Sequence, residues 1–198
     1  ILVMPFGSTG SFTDKEWANG ARPEEGWETF VARDLVNAVD HRYRTIRSGD
    51  GRVLGGLSEG GYGALNIGLH HPGEFRVLES WSGYERADNL KSIFGGDQAR
   101  LRANSPLLTL PHVAGRLRTA GTYVWAYSGT ADSFRSQNAV FAAALSRAGI
   151  PHRHTSDRQV HWPYVRRCEH AGHSARVDVN AAAAHLDERP ALRRDGHP

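Results

Sequence analysis

The stretch GGLSEGGYGA, residues 55–64, surrounds Ser58 with five glycines and places a glutamate directly after it. It fits the G-x-S-x-G pattern, in which a serine lies on a sharp strand-to-helix turn with its hydroxyl exposed. The context that this pattern needs is present, because an apolar strand-like run over 52–57 precedes it and helical spacing over 62–70 follows it. The stretch therefore predicts an α/β fold in which Ser58 is a catalytic nucleophile.

The glycines of this stretch admit a second interpretation, a phosphate-binding loop or a plain glycine-rich turn. A dinucleotide-binding fingerprint fails because Asn66 stands where a third glycine is needed, and no Walker lysine follows. As a strand-to-helix turn, the stretch requires Gly56 and Gly60 to leave room where the two elements pass very close. We favour the turn with a catalytic serine.

The backbone N–H and the carboxylate of Glu59 have different expected roles. Its N–H opens the predicted helix, and amides of a first helical turn point towards the oxygen that becomes negative during acyl transfer. Its carboxylate is favourable against the helix dipole, and a place at the mouth of the pocket is the alternative. We expect the backbone N–H to matter for catalysis and the charge not to.

A serine nucleophile needs a base, and the base needs an orienting carboxylate. In this class of fold the order along the chain is serine, acid, histidine. Asp132 follows the predicted strand Tyr123–Tyr127, at the carboxyl edge where ligands bind in α/β folds. Asp157 is the rival, for which we expect no strand to reach that edge, and a helix N-cap is the alternative role for Asp132.

The base is one of several histidines downstream of the acid. His161, which follows a helix and a short candidate strand, is in the expected position, and His173 is the alternative. The spacings of these histidines are irregular and no matching carboxylate pair accompanies them, which argues against a catalytic metal. We predict a site with no metal and no cofactor.

Composition and length narrow the class of protein further. The chain has 198 residues, enough for one domain with a sizeable core, and no apolar run approaches the length of a membrane span. The net charge of +3 comes from scattered arginines without an aromatic-interleaved stripe, so we expect no nucleic-acid partner. Cys168, the single cysteine, excludes an intrachain disulfide.

Helix and strand patterns alternate along the chain, which indicates a sheet of parallel strands flanked by helices. Because the chain opens inside an apolar run, we expect an N-terminally truncated piece of a longer protein. Residues 83–120 look like an irregular cap or long loop over the carboxyl edge of the sheet. The expected elements are the strands Ile1–Met4, Arg52–Leu57, Phe75–Ser80 and Tyr123–Tyr127 and the helices Trp27–Tyr43, Tyr62–His70 and Gln137–Ala148.

Several motifs together resemble the putative esterase family of α/β hydrolases, which groups esterase D, feruloyl-esterase-like enzymes and the antigen 85 mycolyltransferases. The resemblance covers about residues 1–165. The matching stretches are Val3-Met4-Pro5, Ser11-Phe12-Thr13-Asp14 with Trp17, Trp27-Glu28-Thr29-Phe30, Asp34-Leu35, Gly56 to Ala64, His71-Pro72-Gly73-Glu74-Phe75 and Ser80-Trp81-Ser82-Gly83.

The resemblance implies an α/β-hydrolase fold, with an esterase domain over 1–186 and a flexible tail over 187–198. It assigns Ser58 as nucleophile, Asp132 as acid, His161 as base and the Glu59 backbone N–H as one oxyanion donor; the second donor would lie upstream of Ile1. It also suggests a location outside the cytoplasm. The implied substrate-binding residues are Phe12, Asp14, Trp17 and Trp81.

The function predicted first is hydrolysis of a small-molecule ester, such as an aryl, feruloyl or sugar ester, through an acyl-enzyme on Ser58. Acyl transfer of the mycolyltransferase type, by the same acyl-enzyme, is the second hypothesis. A non-catalytic hydrolase-like module that binds carbohydrate or a protein partner is the third.

Overall fold

Parallel strands form the central sheet of the computed structural model, which describes residues 1–7 and 15–157. They lie side by side in chain order, so that each strand neighbours the next. The predicted α/β class with a parallel sheet is confirmed. The strands are β1 (Val53–Leu57), β2 (Val77–Trp81), β3 (Tyr123–Gly129) and β4 (His152–Asp157).

Helices precede and connect the strands. In the described residues, none of them is long and apolar enough to span a bilayer. Crossovers between neighbouring parallel strands are right-handed, so successive crossovers of this sheet lie on one of its faces. The helices are α1 (Trp27–Thr29), continued by a π-helical turn (Phe30–Leu35) into α2 (Val36–Arg42), then α3 (Glu59–His70), α4 (Lys91–Phe94), α5 (Gln98–Ala103), α6 (Pro106–Ala120) and α7 (Arg135–Arg147).

The main hydrophobic core lies between the sheet and these helices. Leu78 of β2 and Val124 of β3 are 0% exposed, because alternate strand residues point to the helical face. The α3 helix contacts β1, β2 and α6, and α7 contacts β3 and β4. The helical residues fully or almost fully buried in this core are Leu65, Ile67, Leu69, Leu110, Val113, Leu117, Phe141 and Leu145.

The opposite face of the sheet is only partly covered by the described residues. Trp81 and Trp125 lie there, half-buried, in an edge-to-face pair with ring centroids 6.3 Å apart. The indole N–H of Trp125 donates to Thr155 Oγ1 at 3.1 Å. This face is therefore aromatic at its carboxyl end.

The region 83–120, expected to be an irregular cap, is mostly helical, so that prediction was wrong. Asp97 begins α5 because its side chain accepts from the N–H groups of Ala99 and Arg100. Pro106 occupies the first turn of α6, where its missing N–H costs nothing. Pro111 within α6 breaks the usual sequence signature of a helix, which is why the sequence pattern missed it.

Ile1–Met4 was expected to be a buried strand, and this too was wrong. The four side chains are exposed, between 41% and 81%, and no strand is assigned there. A strand is held by hydrogen bonds to a neighbour, and within the described residues no strand pairs with this run. An apolar run alone does not supply that neighbour.

A buried carboxylate ties the first helix to the C-terminal end of α3. Glu28 Oε2 and Oε1 accept from His70 Nδ1 and His71 Nε2, both at 2.9 Å. His70 Nε2 also lies 2.9 Å from the carbonyl oxygen of Ala103. Both ring nitrogens of His70 thus face acceptors, and although burial disfavours its charge, Glu28 and this carbonyl raise the pKa of His70.

Candidate active site

Ser58 stands alone between the last residue of β1 and the first residue of α3, with φ 55° and ψ −116°. Such a backbone conformation costs a non-glycine residue on the order of 1–3 kcal/mol and is concentrated at functional sites. The neighbouring structure holds it: Ser58 N–H donates to Trp81 O at 2.8 Å, and Ser58 O accepts from Tyr62 N–H at 3.0 Å. The residue itself is exposed, as the strand-to-helix prediction requires.

The two glycines flanking Ser58 have different environments. A Cβ on Gly56 would lie 2.5 Å from the carbonyl carbon of Gly60, so strand and helix pass too closely for a side chain at this position. A Cβ on Gly60 would meet nothing within 4 Å. The prediction that Gly56 provides clearance is confirmed. For Gly60 it was wrong, because its backbone is the obstacle and its own side of the helix is open.

The carboxylate of Glu59 has a structural role that the sequence analysis missed. Its Oε1 accepts from the backbone N–H groups of Lys15 at 3.1 Å and Glu16 at 2.8 Å. Glu16 and Trp17 have φ values of 56° and 49°, which are unfavourable for residues other than glycine. Glu59 therefore fixes a strained loop beside Ser58, and no local pattern reveals a partner more than forty residues away.

Trp17, expected to bind substrate, is half-buried and packs against the start of α3. Its Cβ would lie 2.7 Å from a Cβ on Gly63, and its ring meets that of Trp27 edge-to-face at 6.1 Å. Its indole is therefore positioned by the loop that Glu59 holds. Phe12 and Asp14, the other two residues expected in this loop, lie outside the described residues.

The carboxyl end of β2 adjoins Ser58. Trp81, the last expected substrate-binding residue, pairs with Leu57 in the sheet register. Ser82 follows with φ 51°, and its N–H donates to Tyr127 O at 2.7 Å. The chain thus bends sharply after β2 as it does after β1.

Asp132 lies in the turn between β3 and α7. Its N–H donates to Gly129 O at 3.1 Å, and its Oδ1 accepts from Phe134 N–H at 2.8 Å. Its Oδ2 is buried and has no hydrogen-bond partner among the described residues. The N-cap of α7 is Phe134, so Asp132 holds the preceding turn and keeps one oxygen for another donor.

Asp157 was expected to have no strand that carries it to the carboxyl edge, and the structure corrects this. It ends β4 and pairs in register with Gly129 of β3. Parallel strands end at the same edge of a sheet, so Asp157 lies at the same edge as Asp132. The candidate bases His161 and His173 lie outside the described residues.

Glu85 is a second buried carboxyl at this edge, and the sequence analysis did not find it. It is 0% exposed, and neither oxygen has a hydrogen-bond partner among the described residues. Burial, and after it the negative charge of Asp132, raises the pKa of Glu85 to about 8. The only available signal was its place four residues after β2, at the edge where ligands bind.

Histidine, cysteine and carboxylate side chains of the described residues do not form a metal-binding group. In the ranges 1–7 and 15–157, no three of them come together in a group that would hold an ion.

A cavity of about 510 Å³ is lined by His70, Arg102 and His112, at the far end of α3 from Ser58.

The parallel sheet and its strand-to-helix turn define an α/β-hydrolase fold. The fold is shared with FphF, a fluorophosphonate-binding serine hydrolase of Staphylococcus aureus, at a TM-score of 0.65 and 18% identity. That similarity covers 79% of this chain and 65% of the other.

Sequence comparison gives the family. The model of the putative esterase family matches residues 1–175, and the chain belongs to this family, as the motifs predicted. It is 29% identical to esterase Rv1288 of Mycobacterium tuberculosis over 77% of this chain, and spans only 39% of that protein's length. It is 28% identical to the diacylglycerol acyltransferase/mycolyltransferase Ag85B of Mycobacterium leprae, over 65% of this chain and 44% of that protein.

Proposed function

We propose that this protein is a carboxylic-ester hydrolase that acts through an acyl-enzyme on Ser58. The observation that carries the proposal is the backbone of Ser58, an exposed serine in a strained conformation between β1 and α3. Strain of this kind persists only where surrounding structure over-determines it, and a nucleophile elbow uses it to expose the hydroxyl. Membership of the putative esterase family supports the same chemistry.

The reaction proceeds in two acyl transfers. Ser58 Oγ attacks the ester carbonyl carbon while His161 takes the hydroxyl proton, and the departing alcohol leaves with that proton. His161 then takes a proton from a water whose oxygen attacks the acyl carbonyl carbon; the bond to Ser58 Oγ breaks, Oγ takes the proton back from His161, and the carboxylic acid is released. Asp132 orients the imidazole. Its Oδ2 has no hydrogen-bond partner among the described residues, which supports this role because that oxygen can accept a hydrogen bond from the imidazole N–H.

The negative oxygen formed in each step is stabilised by the N-terminus of α3. The first N–H groups of a helix have no intrahelical acceptor, and the helix dipole favours negative charge there. Glu59 is the first residue of α3, so its N–H is the proposed donor. The loss of one such donor typically slows catalysis about 10²–10³-fold.

The proposed substrate is a small ester with an aromatic or sugar part. Trp17 and Trp81 offer flat apolar surface near Ser58, and Phe12 and Asp14 remain predicted contributors. We place the catalytic domain at 1–186, with 187–198 as a tail.

Acyl transfer to an alcohol is the second candidate, because the similarity to Ag85B, named as an acyltransferase, favours it. The two functions share the acyl-enzyme and differ only in the acceptor. Trehalose or glycerol added to a hydrolysis assay separates them: transfer predicts an acylated alcohol, and hydrolysis predicts free acid alone.

Turnover of p-nitrophenyl acetate tests the proposal. Ser58→Ala is expected to lower kcat/KM by at least about 10³-fold, because the nucleophile is lost. Asp132→Asn is expected to lower kcat by about 10⁴-fold, as an unoriented imidazole does in related chemistry.

Ser82→Ala is the matched control, since Ser82 also follows a strand with positive φ but is not proposed to react. Its turnover should stay within a few-fold of the wild type, with circular dichroism confirming that all variants fold. Turnover retained in a folded Ser58→Ala protein would overturn the proposal.

A further inference from the structure

We propose that Glu85 is a positioning residue of the site: it remains an uncharged carboxylic acid beside Asp132, so that Asp132 carries the single negative charge behind the base. The inference rests on the proposed function, because it gives Asp132 the role of orienting an imidazole. It concerns a group that the hydrolytic mechanism above does not use.

The first observation is the burial of the Glu85 carboxyl. Glu85 is 0% exposed, and its Oε1 and Oε2 have no hydrogen-bond partner among the described residues. A carboxylate in such surroundings loses its hydration, and no cation of the described residues pairs with it, so it takes up a proton instead. The buried surroundings of Glu85 therefore favour its protonated, neutral form.

The position of Glu85 is fixed by its backbone. Its N–H donates to Gln137 Oε1 at 3.3 Å, and its carbonyl oxygen accepts from Leu107 N–H at 3.0 Å. The chain at Glu85 is therefore held between α6 and α7. Its neighbour Tyr84 stacks on Tyr62 with ring centroids 4.8 Å apart, which holds this segment against α3.

Asp132 is held by the same end of α7. Phe134 N–H donates to Asp132 Oδ1 at 2.8 Å, and Asn138 Nδ2 donates to Gly83 O at 2.8 Å. The Phe134 ring also lies 5.1 Å from that of Tyr84. One helix start thus fixes both acids, and the Oδ2 of Asp132 and the two oxygens of Glu85 are each buried without a hydrogen-bond partner among the described residues.

The charged groups around Glu85 come from several elements. From the β3–α7 turn, Asp132 brings its negative charge, and from the 15–17 loop Glu16 accepts a hydrogen bond from the Tyr84 hydroxyl. From α7, Arg135 is exposed and donates to Ser156. From α6, the contacting Leu107 carries no charge. Of these groups, the charge of Asp132 favours the protonated form of Glu85, and burial favours it more strongly.

Glu85 adds a second negative charge, beside that of Asp132, only at alkaline pH. Burial and the charge of Asp132 raise the pKa of Glu85 to about 8. Above that pH a second carboxylate near Asp132 makes the unprotonated imidazole a stronger base, and the rate of a general-base step changes with the strength of its base. We expect kcat/KM to change through an inflection near pH 8.

Folding stability depends on the same proton. The unfolded chain releases it near the ordinary value of 4.5, whereas the folded protein keeps it until about pH 8. The folded state binds more protons between these values, so this contribution to stability is fully present below pH 4.5 and is lost as pH rises to about 8. Glu85→Gln, neutral at every pH, is expected to remove that slope.

The test compares the wild type with Glu85→Gln, and with Glu79→Gln as matched control. Glu79 lies on β2, and burial raises its pKa too, but it points to the opposite face of the sheet. In Glu85→Gln we expect the inflection of kcat/KM near pH 8 to vanish and the acid limb to keep its midpoint. Glu79→Gln should retain the inflection.

A ¹³C titration of the Glu85 carboxyl tests the electrostatics without relying on activity. We expect a midpoint near 8 that falls in Asp132→Asn but stays above the ordinary 4.5 because burial remains. An ordinary midpoint, or one that Asp132→Asn does not move, would overturn the inference.

The two proposals fail in different ways. Turnover that depends on Ser58, with an alkaline inflection unchanged in Glu85→Gln, would overturn the positioning role and leave the hydrolase intact. Coupled titration of Glu85 with no reaction at Ser58 would overturn the proposed function, and with it any positioning role for Glu85.

Discussion

At the scale of single residues, backbone strain in the described part of the chain is concentrated around Ser58. The non-glycine residues with positive φ are Glu16, Trp17, Ser58 and Ser82. Two of them follow parallel strands, and the other two form the loop that Glu59 holds. Strain that collects at one place and is absent elsewhere in the described ranges is a physical mark of a functional site.

Glu59 offers a prediction at this scale. Glu59→Ala removes the acceptor of two backbone N–H groups, and hydrogen bonds to charged groups contribute on the order of 1.5–3 kcal/mol each. We expect the loop with Trp17 to loosen and KM to rise about tenfold, roughly the effect of 1.4 kcal/mol. Steady-state kinetics on an aryl ester measures it.

Glu59→Gln, which keeps one amide oxygen as acceptor, should lose less, and Glu24→Ala, at an exposed glutamate, should change nothing. An unchanged KM in Glu59→Ala would show that the loop is held by other contacts.

At the scale of elements, the junction of β1 and α3 depends on one glycine. A Cβ on Gly56 would lie 2.7 Å or less from three backbone atoms of Gly60, and backbone cannot rotate away as a side chain does. Gly60 has open space where its own Cβ would be. At Gly56 of the G-x-S-x-G pattern, the absence of a side chain is therefore a steric requirement. At Gly60 there is space for a side chain, and only its backbone lies close to β1.

Two substitutions separate these roles. Gly56→Ala should lower the free energy of unfolding by about 1–3 kcal/mol or more, as overpacking does. Gly60→Ala should leave it unchanged or raise it by about 0.4–1 kcal/mol, because the unfolded chain loses freedom. Urea unfolding followed by circular dichroism measures both, and equal effects of the two substitutions would contradict the steric account.

The elements that the sequence predicted are those with regular apolar spacing. The helix over Trp27–Tyr43, the helix after Ser58 and the strand before it were recognised from the apolar side chains that each contributes to the core. β4 was expected only as a short candidate strand before His161, and its reach to Asp157 was missed, since His-Arg-His-Thr-Ser-Asp has no apolar alternation and is a strand only through its pairing with β3. The prediction for Ile1–Met4 was wrong for the opposite reason, because this run is apolar but pairs with no strand among the described residues.

The proposed site has a sequence signal only where a single residue carries one. Ser58 lies within a local sequence pattern, and Asp132 lies in the loop that follows a predicted strand. The partners of Glu59 and the burial of Glu85 are set by segments far away along the chain, so no local spacing encodes them.

At the scale of the whole molecule, one edge of a parallel sheet gathers the proposed chemistry. β1 delivers Ser58, the segment after β2 delivers Glu85, and the turn after β3 delivers Asp132. This gathering follows from parallel strands in chain order, since their carboxyl ends share one edge. The chain spans 39% of esterase Rv1288, so the activity of the complete protein is part of the proposal.

The central claim, that Ser58 is the nucleophile, is tested most directly by locating a covalent adduct. A fluorophosphonate loses fluoride to an activated serine and leaves a phosphonyl group on its oxygen. We expect peptide mass spectrometry to find this group on Ser58, to find none in Ser58→Ala, and to find labelling undiminished in Ser82→Ala. An adduct on another residue, or labelling that persists in Ser58→Ala, would contradict the account.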